Sequence, residues 1–316
     1  MNFLDTTIAS QLSQIVWTNV YGVGRSILAM ATLLTLLTND VYVLFRPFAS
    51  GPDTCINCIG FAKFAVFCLL PLGLAKWASI VILSLVVVGI YPRITGLLHC
   101  WVTTSFMATA VLVDGGDQVA TVLSMLLLPI TLTDNRKWIW DPFVKSRLNS
   151  PLYAKTKLLI ANSTYLIIRL QVCLIYFEAC VGKFRSAEWA NGTSLYYWFA
   201  NHQFGVSARA MHLLIPLLSN SIIIVTLTWG VMIFEGLLFL GICINRKYWS
   251  YLLAGGLLFH LLIVFVHGLP TFFLSMASAL VFYLRPPDKL FSFPARIRQF
   301  IDLKRSIRPL MPKRAN

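Results

Sequence analysis

A chain of 316 residues, 58% hydrophobic and only 12% charged, with a mean hydropathy of +0.74, carries more apolar surface than one water-soluble core can cover. An ordinary soluble enzyme is excluded. The net charge is +14, so the placement of the cations must decide between nucleic acid, anionic lipid and membrane orientation.

In chain order, Met1 to Thr18 is mixed and polar, without the basic start, apolar run and small-residue site of a cleavable leader. Continuous apolar runs then predict eight membrane-spanning helices over roughly 21–38, 76–91, 95–113, 118–133, 158–181, 220–242, 250–266 and 270–285. The fold class is an all-α polytopic membrane helical bundle. The runs lack the alternating period of a β-barrel wall. Cys58–Leu70, ending at Pro71, is too short to cross and reads as an interfacial or re-entrant segment.

The cations Arg93, Arg136, Lys137, Lys145, Arg147, Lys155, Lys157, Arg246 and Lys247, with nine more from Arg285 to Arg314, fall on the side of both termini. The opposite side holds Arg46, Lys63, Lys76, Lys183, Arg185 and Arg209. The asymmetry predicts cytoplasmic termini and explains the charge by membrane orientation, without nucleic acid. Two parts follow: a transmembrane domain over 1–285 and a basic amphipathic cytoplasmic tail over 286–316. In the tail, Phe293, Ile297, Phe300 and Ile301 alternate with Arg296, Arg298 and Lys304, as in a helix lying on the inner leaflet or docking a partner.

Charges within the spans each need a partner or a role. Arg25, Arg169 and Glu235 are at similar expected depth, so internal ion pairs among them, or a polar pathway, are the readings. The fifth span is the most polar and is expected to be central. Its Arg169, Cys173, Tyr176, Cys180 and Lys183 share a face, with Glu178 turned away. Lys183 lies at the external mouth, where apolar aromatic surroundings suit a general base and a snorkelling lysine is the plainer alternative. Asp114-Gly115-Gly116-Asp117-Gln118 makes a tight external turn in which either Asp can cap the next helix. His267 lies in a second external turn, His260 near the middle of the seventh span. No metal-ligand pattern is present. Cys55 and Cys58 form a CxxC on the outer face, consistent with a local disulfide, thiol exchange or free thiols; the other five cysteines read as small hydrophobes.

Tyr176-Phe177-Glu178-Ala179-Cys180-Val181-Gly182-Lys183-Phe184, then Glu188-Trp189 and Asn191-Gly192, resembles the HTTM superfamily, which includes the vitamin K-dependent gamma-carboxylase. There an AGxxK-like helix end carries the lysine thought to deprotonate reduced vitamin K, and Lys183 falls at that position. Tyr21-Gly22-Val23-Gly24-Arg25, Tyr91-Pro92-Arg93, the DGGDQ turn and Glu188-Trp189-Ala190-Asn191-Gly192-Thr193 are more specifically similar to the SdpB family, over almost the whole chain. That resemblance implies maturation of an exported, disulfide-containing SdpC-like toxin precursor, an antimicrobial peptide, together with a small SdpA-like partner at the bacterial cytoplasmic membrane. With that family in view, the expectation drawn from the residues is an outward-facing cavity under the 182–219 loop, with Lys183 as base, Asp114, Asp117, Glu178 and His267 orienting a substrate or, by analogy with the superfamily, a quinol, and Trp189 and Trp198 walling off water. Carboxylation is not expected, because Gly182 stands where the carboxylase has a lysine and no large external domain is present. A transporter or immunity component using Arg25, Arg169, Glu235 and His260, and a quinol-dependent enzyme acting on a non-peptide, are the competing functions.

Overall fold

The computed structural model describes residues 14–45, 58–143, 151–201, 205–206 and 208–292. All regular structure among them is helical. The eight expected spans correspond to α1 (Asn19–Thr38), α2 (Leu72–Val88), α3 (Pro92–Thr109), α4 (Gly115–Leu126) continued by α5 (Leu128–Thr133), α6 (Pro151–Lys183), α7 (Ser221–Leu240), α8 (Trp249–His267) and α9 (Pro270–Leu284). Five of these stretches are long and apolar enough to cross a membrane, α4 and α5 counting as one; α2 and α9 are apolar but shorter. Rows of outward Leu, Ile, Val and Phe on α6, α7 and α8 would be costly in water and are at home against acyl chains. These are the features of a membrane protein.

Local chemistry sets the helix ends. Gly89 ends α2 in the left-handed conformation, φ 84°, and a Cβ there would lie 2.2 Å from Ile139, so glycine serves both the turn and the close approach. Pro92 opens α3, where a missing N–H costs nothing. Pro129 separates α4 from α5. The bend after α5 is held by Arg136, which bonds both oxygens of Asp134 and the carbonyls of Ile139 and Asp141. Arg136 is thus a buried, paired member of the cationic face.

The fifth span was expected at the centre, but α9 occupies it. Every residue from Ser275 to Leu284 is buried, whereas α6 exposes Leu166, Ile167, Leu170 and Leu174. Small residues explain the difference: Ser278 Oγ donates to the Gly24 carbonyl at 2.7 Å, and a Cβ on Gly24 would meet Phe282 at 2.6 Å. Without a hydrophobic force between helices in lipid, such close backbone contact and a shared hydrogen bond are what hold α1 to α9.

Between α1 and α2 none of the described residues forms a helix long enough to cross. A 3-10 turn, Gly60–Phe64, and a short helix, Val66–Leu69, lie on α3, with the Val66 N–H donating to Ser105 Oγ and Trp101 Nε1 to the Phe64 carbonyl. Phe61 is 94% exposed, as an interfacial segment requires. Here the cysteine reading is corrected: Cys58 is bonded to Cys68, ten residues on. The short helix turns Cys68 back over Cys58, while Cys55 lies outside the described residues. So do the amphipathic tail from Phe293 onward, Lys145 and Arg147. The last described residues return to the start of α1, where Asn19 exchanges two hydrogen bonds with the backbone of Phe291.

Candidate functional site

Lys183 is the last residue of α6. Side chains on a helix lean toward its N-terminus, so the amine points back into the bundle. Nζ donates to the Ala179 carbonyl at 3.0 Å and to both oxygens of Glu235 at 2.7 and 2.6 Å. Those three bonds use all three N–H donors of an ammonium. The cation also sits 5.1 Å from the centre of the Trp189 ring, where the ring face attracts it. Of the two readings of Lys183, the snorkelling one is corrected: the amine turns inward to an ion pair.

This corrects the partner of Glu235, expected to be Arg25 or Arg169. Glu235 is buried on α7 beside the end of α6. Arg169 is 14 residues from Lys183 on α6, about 21 Å along the axis; its Nε donates to the Tyr283 carbonyl and its guanidinium stacks 4.1 Å over Trp249. Arg25 is fully enclosed on the far side of α9, with one bond to Thr95 Oγ1 at 2.8 Å. The three charges thus bond to different groups and not to one another.

A second pair lies beside the first. Tyr176 Oη and His260 Nε2 are 3.0 Å apart, linking α6 to α8, and His260 is surrounded by the rings of Phe259 and Phe272. Its Nδ1 is buried without a hydrogen-bond partner. Sequence reasoning placed Tyr176 on the Lys183 face but did not join it to His260; the signal was a histidine in an apolar span, which requires some polar neighbour.

Both pairs line one cavity of about 780 Å³. Its floor and walls are Met276, Phe272, Phe259, Ile263 and Val231. Its roof is the excursion after α6, which contributes Trp189, Leu195 and Trp198. In that excursion the Ser186 hydroxyl donates to Glu188, holding this carboxyl below its ordinary range, and Gly192 takes the left-handed conformation against Val225. His267 closes the rim, edge-on to Trp198 at 6.0 Å. Gln118 and Val122 on α4 face Gln171, Leu174 and Glu178 on α6 along one side of the cavity. Because Gln118, Val122, Leu174 and Glu178 are themselves exposed, the cavity opens sideways between these helices. Glu178 thus lines the same space as Lys183 although the two point apart on their helix.

The aspartates of the DGGDQ turn do not line this cavity; Gly115 and Gln118 do. Asp114 Oδ1 accepts from the Asp117 N–H at 2.9 Å, and Asp117 Oδ2 accepts from the Asp114 N–H at 3.1 Å. That capping box satisfies the start of α4. Gly116 lets it press on α9, since a Cβ there would lie 2.7 Å from Phe272 Cα. Among the described residues no three His, Cys, Asp or Glu side chains gather as a metal site would need.

No family model matches the chain, and no solved structure matches it. Two proteins of Bacillus subtilis strain 168 do. The protein YitO is 36% identical over 284 residues, 88% of either chain. The sporulation-delaying protein SdpB is 39% identical over 275 residues, 85% of this chain and 82% of SdpB. With that identity along nearly its whole length, the chain belongs to the family of the sporulation-delaying protein SdpB.

Proposed function

We propose that this protein is a multi-pass factor of the bacterial cytoplasmic membrane that matures an exported toxin peptide, acting with a small SdpA-like partner on an SdpC-like precursor. Family membership supports the pathway, and one observation carries the chemical role: a lysine–glutamate pair held inside a large aromatic cavity. A carboxylate bonded twice to an ammonium keeps one proton poised between an acid and a base of its own. A substrate that displaces either partner meets a group able to give or accept that proton. The sideways opening admits an apolar peptide segment from the bilayer without full exposure to water, and Trp189, Trp198 and His267 cover the reacting end. Glu235 is the resting proton acceptor and Lys183 the donor, so the base role expected of the lysine alone is shared between them.

A quinol fits the same walls on one observation. The unpartnered Nδ1 of His260, between Phe259 and Phe272, offers a hydrogen bond beside surfaces on which a flat ring can lie. Such a group, when bound, supplies electrons and an acidic hydroxyl; His260 and Tyr176 orient it, and the tryptophans exclude water.

The test is Glu235→Gln, which keeps the shape of the side chain and removes its charge. Mature peptide in the medium, measured by mass spectrometry at matched membrane levels of the protein, should fall at least about a hundredfold, the scale of a lost acid–base group. Normal processing in this variant would refute the role of the pair. Repeating the assay with the cellular quinone pool removed separates the quinol reading from chemistry by the pair alone.

A further inference from the structure

Beside the middle of α6, at Leu166 and Arg169, lies a second cavity, about 440 Å³, that the maturation reading does not use. Its centre is the indole of Trp249, fixed because Nε1 donates to the carbonyls of Gly241 and Ile244, both at 3.0 Å. Two guanidinium groups flank that ring, Arg169 at 4.1 Å and Arg246 at 5.4 Å from its centre. Arg169 is anchored through Nε to the Tyr283 carbonyl at 3.0 Å. Beyond that bond, its Nη donors and those of Arg246 find no hydrogen-bond partner among the described residues, and both side chains line the cavity. No carboxylate lines it, and Asn245 spends its side-chain oxygen on the Lys247 N–H. Two cations are therefore placed, desolvated in part, with their forked donors unspent. That arrangement is built for a phosphate group.

Location identifies the source of the phosphate. The cavity is level with the ends of α7 and α9 and the start of α8, on the face carrying Arg285 and Lys289. Its apolar wall, Leu166, is 49% exposed. Leu170 and Leu174 continue Leu166 at four-residue steps along α6, both exposed, so an apolar stripe leads from the cavity toward the middle of the bundle. A headgroup at one end of a stripe suited to an acyl chain is the shape of a membrane lipid. We propose that Arg169 and Arg246, placed by the Trp249 ring, hold the phosphate of an anionic phospholipid, with its chain lying along Leu166, Leu170 and Leu174.

The experiment uses the full chain purified in mild detergent, with bound lipid counted by native mass spectrometry as phosphatidylglycerol or phosphatidylcholine is titrated. The wild type should prefer phosphatidylglycerol. Arg246→Gln, which touches no helix-packing bond, should reduce that preference about fivefold, and Arg169→Gln with Arg246→Gln about twenty-five-fold. The exposed cation Arg185, just past the C-terminal end of α6, serves as control: Arg185→Gln should leave the preference as it is. Should the double variant fail to fold, Arg246→Gln alone decides. A wild type with no preference, an Arg246→Gln protein that keeps it in full, or release of the lipid by millimolar inorganic phosphate would each overturn the proposal, the last by showing a free-anion site.

Discussion

The middle of α6 and its C-terminal end each hold a cation against a tryptophan, yet they differ in what completes it. Lys183 has a carboxylate, a carbonyl and the face of Trp189, and every donor is used. Arg169 has one carbonyl and the face of Trp249, and most of its donors are unspent. A compact ammonium is satisfied by three acceptors that the fold can supply from its own chain. A guanidinium with five donors at the rim of the bundle is left needing something from outside. The contrast teaches that a charge in an apolar helix can be a closed unit or an open socket, and that only its neighbours distinguish them.

The largest effect should come from splitting the closed unit. Glu235→Leu alone strands the ammonium and should cost about 3–5 kcal/mol, whereas Lys183→Met with Glu235→Leu should recover most of it, because a well-packed apolar pair replaces a buried ionic one at little cost. Thermal unfolding in detergent checks both; equal losses in the single and double variants would show that the pair is not a unit. At the open site, Arg169→Ala removes a stacked cation and one charged hydrogen bond, and should cost about 2 kcal/mol. A loss as large as that of Glu235→Leu would erase the distinction between the two sites. Asp114→Ala should cost about 1 kcal/mol through its capping bond and leave peptide output normal at matched protein levels. If output vanishes while the fold persists, Asp114 does touch substrate after all. Smallest is Arg185→Gln, exposed beside Lys183, which should shift stability by no more than about 0.5 kcal/mol.

Much of the architecture is legible in the sequence because an apolar run has to become a helix in lipid, whatever packs on it. Boundaries are less legible, since they follow turns: the span expected over 76–91 begins at Leu72 after Pro71 and ends where Gly89 turns left-handed. The centrality of α9 could have been read from Ser275, Ala277, Ser278 and Ala279, the small residues that permit close helix contact. Lys183 stood out by its position at the end of a polar helix, and it does line the cavity. Its partner was not legible, because depth counted along each helix separately says nothing of the register between α6 and α7. A lysine drawn outward to water also hides an inward carboxylate. Cys58 likewise carried a misleading neighbour: proximity in sequence favoured Cys55, while folding of the intervening turn brought Cys68 against it.

The most direct test is output of mature peptide from cells carrying Lys183→Met with Glu235→Leu, the variant expected to remain stable without its charges. The account predicts wild-type amounts of folded protein in the membrane and no mature peptide in the medium. Peptide appearing at the wild-type rate would contradict it, leaving the buried pair a purely structural joint between α6 and α7.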